Sequence, residues 1–245
     1  MALPQIGTVH VWHARLGKFD GAVSTPDADM AYARRFLRND DRHRFLTGRA
    51  LTRNVLGGYL GLPPTEIQLA VTAFGKPYLR QTDGPDLRFN LSHSGSLVAL
   101  AVANRDEVGI DVEAEPPGNA DELAPIVLSG PERQAYERLP QALRPAALLR
   151  CWTRKEALLK ASGSGLSCDP RMLTVGWQGA GTQAVAMPAI AAGFAFRDLT
   201  LAGAFSSSVA LSAPEIHVLT LPWSSLGCSN RSPGRVRNGD VLATG

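Results

Sequence analysis

An α+β fold is predicted for this chain of 245 residues. Both halves of the sequence contain helical periodicity, and in both halves it is followed by several short stretches typical of β-strands. A segment rich in proline and glycine, AEPPGNA at 114–120, separates the halves. We therefore predict two similar α/β sandwich-like subdomains in a pseudo-twofold arrangement, residues 1–113 and 114–222, with a functional site in the cleft between them.

The first half begins with TVHVWHARL, in which apolar and polar residues alternate as in a strand. A helix is predicted over about 32–60, because Leu51, Val55 and Tyr59 form an apolar stripe and GLPP at 61–64 ends it. Four further strands are predicted in EIQLAVTAF, LRFNLSH, SLVALAVAN and EVGIDVE.

The second half opens with two helical stretches, PERQAYERLP and PAALLRCWTRKEALLKA. Strands are predicted in LTVGW, GFAFRDLTLAGAF, SSVALSA and IHVLTL. Residues 223–245 are rich in serine, glycine, arginine and asparagine and are predicted to form a flexible tail.

The composition is that of an ordinary globular protein, with 44% apolar and 19% charged residues. A net charge of +3 is too small to indicate wholesale nucleic-acid binding. No apolar run of about 18 residues predicts a membrane span, and the N-terminus does not resemble a signal peptide. Three cysteines without CxxC spacing argue against a disulfide framework or a structural zinc site, so a reducing, cytoplasmic location is expected.

The stretch VGIDVE at 108–113 ends a predicted strand with two carboxylates, Asp111 and Glu113. Alternate residues of a strand share one face and lie about 6–7 Å apart. Two like charges at this distance repel each other unless a cation lies between them, and Mg²⁺ prefers carboxylate oxygens. The pair therefore indicates either a magnesium site or simply two exposed acids at the end of a strand.

The predicted helix CWTRKEALLKASGSGLS supplies a third carboxylate, Glu156. One interpretation is structural: Glu156 and Lys160 form an i,i+4 ion pair on an exposed helix, and Gly163 ends that helix. In the other, Glu156 completes the metal site and Lys160 holds a phosphate.

Two shorter motifs could also contact phosphate. Ser92 and His93 in NLSHS are neighbours on a predicted strand and so point to opposite faces, and the chain has no GxSxG elbow, which argues against hydrolase chemistry. This turn suits either phosphate binding or an ordinary polar hairpin. In GKP, Gly75 and Pro77 fix a turn that presents Lys76.

The motifs GKP, NLSHS, GIDVE and WTRKEALLKASGSGL occur in this order between about Arg38 and Leu166. Together they resemble the 4′-phosphopantetheinyl transferases, in particular the larger, monomeric Sfp-type group. The resemblance implies an enzyme that moves the phosphopantetheine arm of coenzyme A to a serine of an acyl or peptidyl carrier protein. It also implies release of adenosine 3′,5′-bisphosphate, Mg²⁺ at the pyrophosphate, and no nucleic-acid or membrane partner.

By position, the resemblance implies that Asp111, Glu113 and Glu156 bind the metal and that Lys160 lies near the pyrophosphate. It assigns catalysis to Glu156, Lys160 and Asp111, and leaves open whether Glu156 is a metal ligand, a general base or both. The implied coenzyme contacts are Arg44, Arg49, Gly75, Lys76, Pro77, Asn90, Ser92, His93, Lys155 and Lys160.

The sequence departs from the family pattern before the first long helix, where Asp29 and Tyr32 stand at positions that are basic in some relatives. Arg34 and Arg35 are candidates to replace them. The resemblance implies that His93 lies at the 3′-phosphate and leaves open which basic residues hold it. Two other functions also stay open: another Mg²⁺-dependent pyrophosphate-cleaving enzyme, and a non-catalytic module that binds carrier proteins.

Overall fold

A computed structural model describes residues 1–16, 26–73, 75–80, 83–114, 119–164, 168–179, 193–201 and 205–226. Its helices are α1 Asp27–Ala33, α2 Asn39–Leu60, α3 Ala120–Val127, α4 Gly130–Glu137 and α5 Arg144–Ser162. Its strands are β1 Thr8–Arg15, β2 Leu69–Val71, β3 Pro77–Leu79, β4 Leu87–Ser94, β5 Leu97–Asn104, β6 Val108–Glu113, β7 Ala195–Asp198, β8 Ser206–Leu211 and β9 His217–Pro222. Helices and mostly antiparallel strands are thus combined, which confirms the predicted α+β class.

The first sheet has the strand order β4-β5-β1-β9, with β9 parallel to β1 and the other pairs antiparallel. One face of this sheet is covered by α2, whose residues Leu51, Val55 and Leu56 are completely buried against Trp12 and Leu100, among others. The apolar stripe predicted for this helix is the side that packs on the sheet.

The second sheet has the order β6-β8-β7 and is antiparallel throughout. Helix α5 packs on one face of it, where Leu158, Ala161 and Phe196 share one buried cluster. The other face joins the first sheet in a single core that includes Val11 and Ile110.

Side chains of β4 connect the two sheets. The Asn90 side-chain oxygen accepts a hydrogen bond from the Ile110 amide (2.9 Å), and the Ser92 hydroxyl accepts one from the Val112 amide (3.3 Å). The next alternate residue, Ser94, does the same for the amide of Ala114. Edge strand β4 therefore meets β6 through polar side chains instead of a backbone ladder.

The structure differs from the sequence prediction in several elements, and one of them is strand β3 Pro77–Leu79, which was not predicted. The helix expected over 32–60 is split, and the Arg42 guanidinium donates to the carbonyls of Ala33 and Phe36 in the connecting turn. Helix α3 was not predicted, because Pro125 lies inside it and AEPPGNA precedes it. The stretch LTVGW at 173–177 contains no strand.

Two strands cross the boundary predicted at residue 114. Strand β6 precedes residue 114 yet pairs in the second sheet, and β9 follows it yet pairs in the first. Of the predicted tail, Trp223–Leu226 forms a short 3₁₀ helix against the first sheet, and 227–245 lie outside the described residues. In the ranges given above, no helix is both long and apolar enough to cross a bilayer.

Candidate active site

The site is built where β6 crosses α5 at very short range. A Cβ placed on Gly109 would lie 2.1 Å from the Ala157 carbonyl oxygen and 2.4 Å from the Ala161 amide nitrogen. Only glycine permits this approach of a strand to a helix backbone. Because Glu156 and Lys160 each precede one of the two alanines on α5, the crossing brings them to the end of β6.

Asp111 is the centre of the site and is 2% exposed. Its Oδ1 accepts hydrogen bonds from the Lys160 ammonium at 2.6 Å and from the Ser92 hydroxyl at 3.1 Å. Its Oδ2 is buried and has no hydrogen-bond partner within the described part of the chain. A buried carboxylate oxygen without a donor is costly, so this atom is suited to a cationic ligand.

Two further carboxylates lie within electrostatic reach of Asp111. Burial and the charge of Asp111 raise the pKa of Glu113, although hydrogen bonds from Ser94 (2.9 Å) and Trp152 oppose the shift. Burial also raises the pKa of Glu156; the charge of Lys160 lowers it, and those of Asp111 and Glu113 raise it further. The three carboxylates thus repel one another, as expected of a cation-binding group.

These residues fit a hard divalent cation in their chemistry. All three offer carboxylate oxygens, and one of those oxygens is buried without a donor. Across the ranges that the structure describes, however, no three histidine, cysteine, aspartate or glutamate side chains form a ready-made metal cage. The metal assignment of Asp111, Glu113 and Glu156 therefore stays a prediction.

The structure contradicts one part of the structural interpretation of the α5 motif and agrees with another. Lys160 does not simply pair with Glu156 on an exposed helix, because its ammonium binds Asp111 and also donates to Ser92 at 3.3 Å. The helix does end at Gly163, which has φ of +73° as predicted for a C-cap.

A cavity of about 220 Å³ lies on the opposite face of β4 from Ser92. It is lined by Phe36, Asp41, Phe45, Arg49, Thr52, Pro77, Phe89, Leu91 and His93. Burial lowers the pKa of His93, and the charges of Arg44 and Lys160 add to this effect. At neutral pH this imidazole is therefore a neutral hydrogen-bonding group.

A larger cavity of about 570 Å³ adjoins the first, and Pro77 and Phe89 line both. Lys76 lines this second cavity, where its ammonium binds Glu107 (3.0 Å) and the Ala161 carbonyl (3.2 Å). Gly75 has φ of +81°, which supports the predicted role of glycine in this turn.

Comparison with known proteins identifies the family. The profile described as "4'-phosphopantetheinyl transferase, N-terminal" matches residues 10–105, and that of the "4'-phosphopantetheinyl transferase superfamily" matches 107–210. The chain belongs to the 4′-phosphopantetheinyl transferase superfamily. The resemblance drawn from four short motifs is thereby confirmed, including the Sfp-type group.

Relatives of this transferase are known in several bacteria. It is 35% identical to the 4′-phosphopantetheinyl transferase HetI of Nostoc sp. over 65% of the chain and 70% of the relative. It is 33% identical to Sfp of Bacillus subtilis (strain 168) over 55% of the chain and 58% of the relative. It is 37% identical to AcpT of Salmonella typhi over 58% of the chain and 72% of the relative. The matched region thus spans between 58% and 72% of the length of these relatives.

The prediction that Lys155 contacts the coenzyme is wrong. Its side chain is 0% exposed, and its ammonium binds Glu132 (2.6 Å) and the Val127 carbonyl (2.7 Å) on the far side of α5. Asn90, also predicted to contact the coenzyme, is 5% exposed, and its side-chain oxygen accepts a hydrogen bond from the Ile110 amide of β6. Both residues hold the transferase fold together.

The other predicted contacts lie in three groups, one of which is Lys76, directly after Gly75, at the 570 Å³ cavity. Arg49, Pro77 and His93 line the 220 Å³ cavity. Arg44 lies near His93, and its guanidinium binds Asp41 (2.6 Å) and the Gly95 carbonyl (3.2 Å). The third group, Ser92 and Lys160, is at Asp111.

Two residues of the site were missed by sequence reasoning, namely Ser94 and Trp152. The Ser94 hydroxyl donates a hydrogen bond to Glu113, just as the Ser92 hydroxyl donates one to Asp111. Ser94 lies two residues after Ser92 on the same strand, so strand alternation could have indicated it. Trp152 was interpreted only as a helix anchor, and no pattern in the sequence indicates its hydrogen bond to Glu113.

Proposed function

We propose that this chain transfers the 4′-phosphopantetheine arm of coenzyme A to a serine of an apo-carrier protein, acyl or peptidyl. The products are the holo-carrier protein and adenosine 3′,5′-bisphosphate. Family membership supports this reaction, and the observation that carries it is the buried, unpartnered Oδ2 of Asp111 beside the ammonium of Lys160. An acid with one oxygen on a fixed lysine and the other oxygen without a donor is suited to a pyrophosphate and its counter-ion.

Asp111, Glu113 and Glu156 are proposed to hold Mg²⁺, which neutralises the pyrophosphate and so makes its phosphorus accessible to an oxygen nucleophile. This role accounts for three mutually repelling carboxylates in one cleft. Lys160 and the Ser92 hydroxyl are proposed to bind phosphate oxygens from the β4 side.

In the transfer, the serine oxygen of the carrier forms a bond to the β-phosphorus, and the bond from that phosphorus to the bisphosphate oxygen breaks. The serine proton needs an acceptor close to the phosphate. Glu156 is proposed for this task, directly or through water, because its carboxylate lies within electrostatic reach of both Asp111 and Lys160.

A mass measurement tests the proposal. Incubation of apo-carrier proteins with the enzyme, coenzyme A and Mg²⁺ should add one phosphopantetheine, and removal of the metal by a chelator should stop this reversibly. Asp111→Ala should not add the group. Full activity of this variant would rule out the assigned role of Asp111.

The same experiment separates the two alternatives. A pyrophosphate-cleaving enzyme would release adenosine 3′,5′-bisphosphate from coenzyme A without any carrier protein, whereas the transferase should not. A non-catalytic module would bind the carrier and leave its mass unchanged.

We also propose that the protein acts in the cytoplasm as a monomer. The three cysteines without disulfide spacing support a reducing compartment, and the two sheets of one chain supply every residue of the site described above. Sedimentation of the active enzyme at one chain per particle is the expected result.

A further inference from the structure

We propose that Asp29 is a positioning residue that fixes Arg49 as the contact for the 3′-phosphate of coenzyme A, which makes the enzyme select coenzyme A over its 3′-dephospho form. This inference rests on the proposed function and adds a specificity determinant to it. It starts from a buried acid on α1 that takes no part in the site around Asp111.

Asp29 is 6% exposed and lies against two arginines of α2. Its Oδ2 accepts a hydrogen bond from the Arg53 Nε at 2.9 Å, and its Oδ1 lies 3.6 Å from the Arg49 Nε. The two arginines are four residues apart and therefore on one face of the helix. One carboxylate thus faces two cations, and the group carries a net charge of +1.

The two arginines are used differently. Arg53 is 8% exposed, and besides Asp29 it binds the carbonyl of Ile67, so its charge is neutralised inside the protein. Arg49 lies beyond normal hydrogen-bond length from Asp29, and it donates no hydrogen bond to another residue in the described ranges. Its donors are consequently available to a ligand.

The guanidinium of Arg49 is nevertheless held in place. Its central carbon lies 5.3 Å from the centre of the Phe45 ring, and Asp29 lies near its Nε. Arg49 lines the 220 Å³ cavity, as do Phe36, Phe45 and His93. Aromatic rings beside a fixed guanidinium suit a purine nucleotide, in which an apolar base accompanies a phosphate dianion.

Among the described residues that line this cavity, Arg49 is the one with a basic aliphatic side chain, and it carries a positive charge. The other charged group in the lining, Asp41, is bound to Arg44 at 2.6 Å. A dianionic phosphate is therefore attracted by Arg49 alone among the lining residues, while a ribose without that phosphate has little to gain from it.

The position of Arg49 depends on Asp29 for a simple reason. Without that carboxylate, the charges of Arg53 and Arg49 repel each other across one helical turn, and the long Arg49 side chain is free to move away. Loss of Asp29 should therefore weaken the same contact as loss of Arg49, but less completely.

The test compares kcat/KM for coenzyme A and for 3′-dephospho-coenzyme A, with one carrier protein in excess. Arg49→Met should lower the value for coenzyme A by about 10–100-fold, the range of a lost charged hydrogen bond, with little change for the dephospho form. Asp29→Asn should lower it by about 10-fold, through KM more than kcat.

The double variant Asp29→Asn/Arg49→Met should be no worse than Arg49→Met, because Asp29 acts through Arg49. The matched control is Asp27→Asn, an exposed acid two residues earlier on α1, which should change neither substrate. An unchanged preference in Arg49→Met overturns the proposal, and so do additive effects in the double variant.

Because Asp29→Asn also removes the carboxylate that pairs with the buried Arg53, thermal unfolding is measured in parallel. A purely structural role would lower kcat/KM equally for both substrates, and that result also overturns the proposal. Calorimetric binding of adenosine 3′,5′-bisphosphate against adenosine 5′-monophosphate needs no transfer activity. The tighter binding of the bisphosphate, lost in Arg49→Met, is expected even if the proposed transfer reaction were wrong.

Discussion

Helix α5 carries two lysine–carboxylate pairs of equal length whose surroundings differ. The Lys155 ammonium lies 2.6 Å from Glu132, and the Lys160 ammonium lies 2.6 Å from Asp111. The first pair is sealed in the protein, with side-chain exposures of 0% and 2%, whereas the Lys160 side chain is 28% exposed. A five-residue step along one helix therefore leads from the core to the cleft.

The carboxylates of the two pairs differ even more. Glu132 accepts hydrogen bonds from the amides of Val175, Gly176 and Ser129 in addition to Lys155, so that both its oxygens are used. Burial alone would raise the pKa of Glu132, but the charge and hydrogen bonds of Lys155 and these amides lower it.

At Asp111, in contrast, one oxygen has no partner in the described chain, and the neighbouring Glu113 and Glu156 have raised pKa values. The difference shows how one helix serves two purposes. At Glu132 both carboxylate oxygens have hydrogen-bond partners, and the buried ion pair fixes the position of the helix. At Asp111 a carboxylate oxygen has no partner among the described residues and the neighbouring carboxylates repel it, which suits a cationic ligand.

The first prediction concerns the pair of Lys160 and Asp111 in the cleft. Asp111→Asn should lower the rate of phosphopantetheine transfer by about 10²–10³-fold, as is typical when one charge-stabilising group is lost. The free energy of unfolding should stay equal or rise, because the amide removes the charge that repels Glu113 and Glu156. Initial rates and urea unfolding measure the two quantities. If the free energy of unfolding fell by as much as the activation free energy of transfer rose, the proposed difference between the two lysine–carboxylate pairs would be contradicted.

The second prediction concerns the buried pair of Lys155 and Glu132. Lys155→Met should destabilise the protein by about 3–5 kcal/mol, because it leaves the carboxylate of Glu132 buried without its cation. Its control is Arg133→Met, which breaks an ion pair to Glu137 whose side chains are 53% and 59% exposed and should cost less than about 1 kcal/mol. Denaturant unfolding of both variants decides the matter, and equal destabilisation by the two would be the contrary outcome.

The third prediction tests the close crossing of β6 and α5. Gly109→Ala should cost about 1–3 kcal/mol and reduce transfer, because the added methyl group collides with the backbone of Ala157 and Ala161. Gly130→Ala is the control, since a Cβ there meets nothing within 4 Å. Chemical denaturation and transfer assays should separate the two variants, and equal behaviour would mean that the crossing adapts easily.

The smallest expected effect is in the pH dependence of stability. Glu132 has a lowered pKa when folded, so its stabilisation is present above the unfolded value of about 4.3 and is lost as pH falls through the folded value. Glu113 and Glu156 have raised pKa values, so their contribution is present below about 4.3 and is lost as pH rises through the folded values.

Replacement of both cleft glutamates by glutamine should therefore stabilise the protein at pH 7 and leave it nearly unchanged near pH 4. Glu132→Gln should show the opposite pattern, with its larger loss at pH 7. Unfolding free energies measured from pH 4 to pH 8 provide the comparison. Parallel curves for the two variants would mean that the two carboxylate environments do not differ in this way.

Much of the site could be predicted from sequence because it depends on local patterns. Alternation along a strand places Asp111 and Glu113 together, and a glycine after a helical stretch predicts its end at Gly163. Family motifs then relate Glu156 to these acids, and the structure places all three within electrostatic reach of one another.

The errors have equally physical causes. Lys155 and Glu156 are adjacent in the motif but about 100° apart around the helix, so a motif cannot say that one faces the core. The partner of Lys155 is 23 residues away, and the pairing of β9 with β1 spans almost the entire described chain. Contacts between such distant segments are decided by packing, which no short window of sequence contains.

The exchange of strands between the two halves has a consequence for how the protein can be taken apart. Cutting after residue 113 leaves an N-terminal piece with β6 but no β8 to pair with it, and without the parallel neighbour of β1. The C-terminal piece keeps β7, β8 and β9 but lacks the strand that carries Asp111. Each fragment therefore exposes unpaired strand edges, and the two are expected to assemble a working cleft only when they fold in each other's presence.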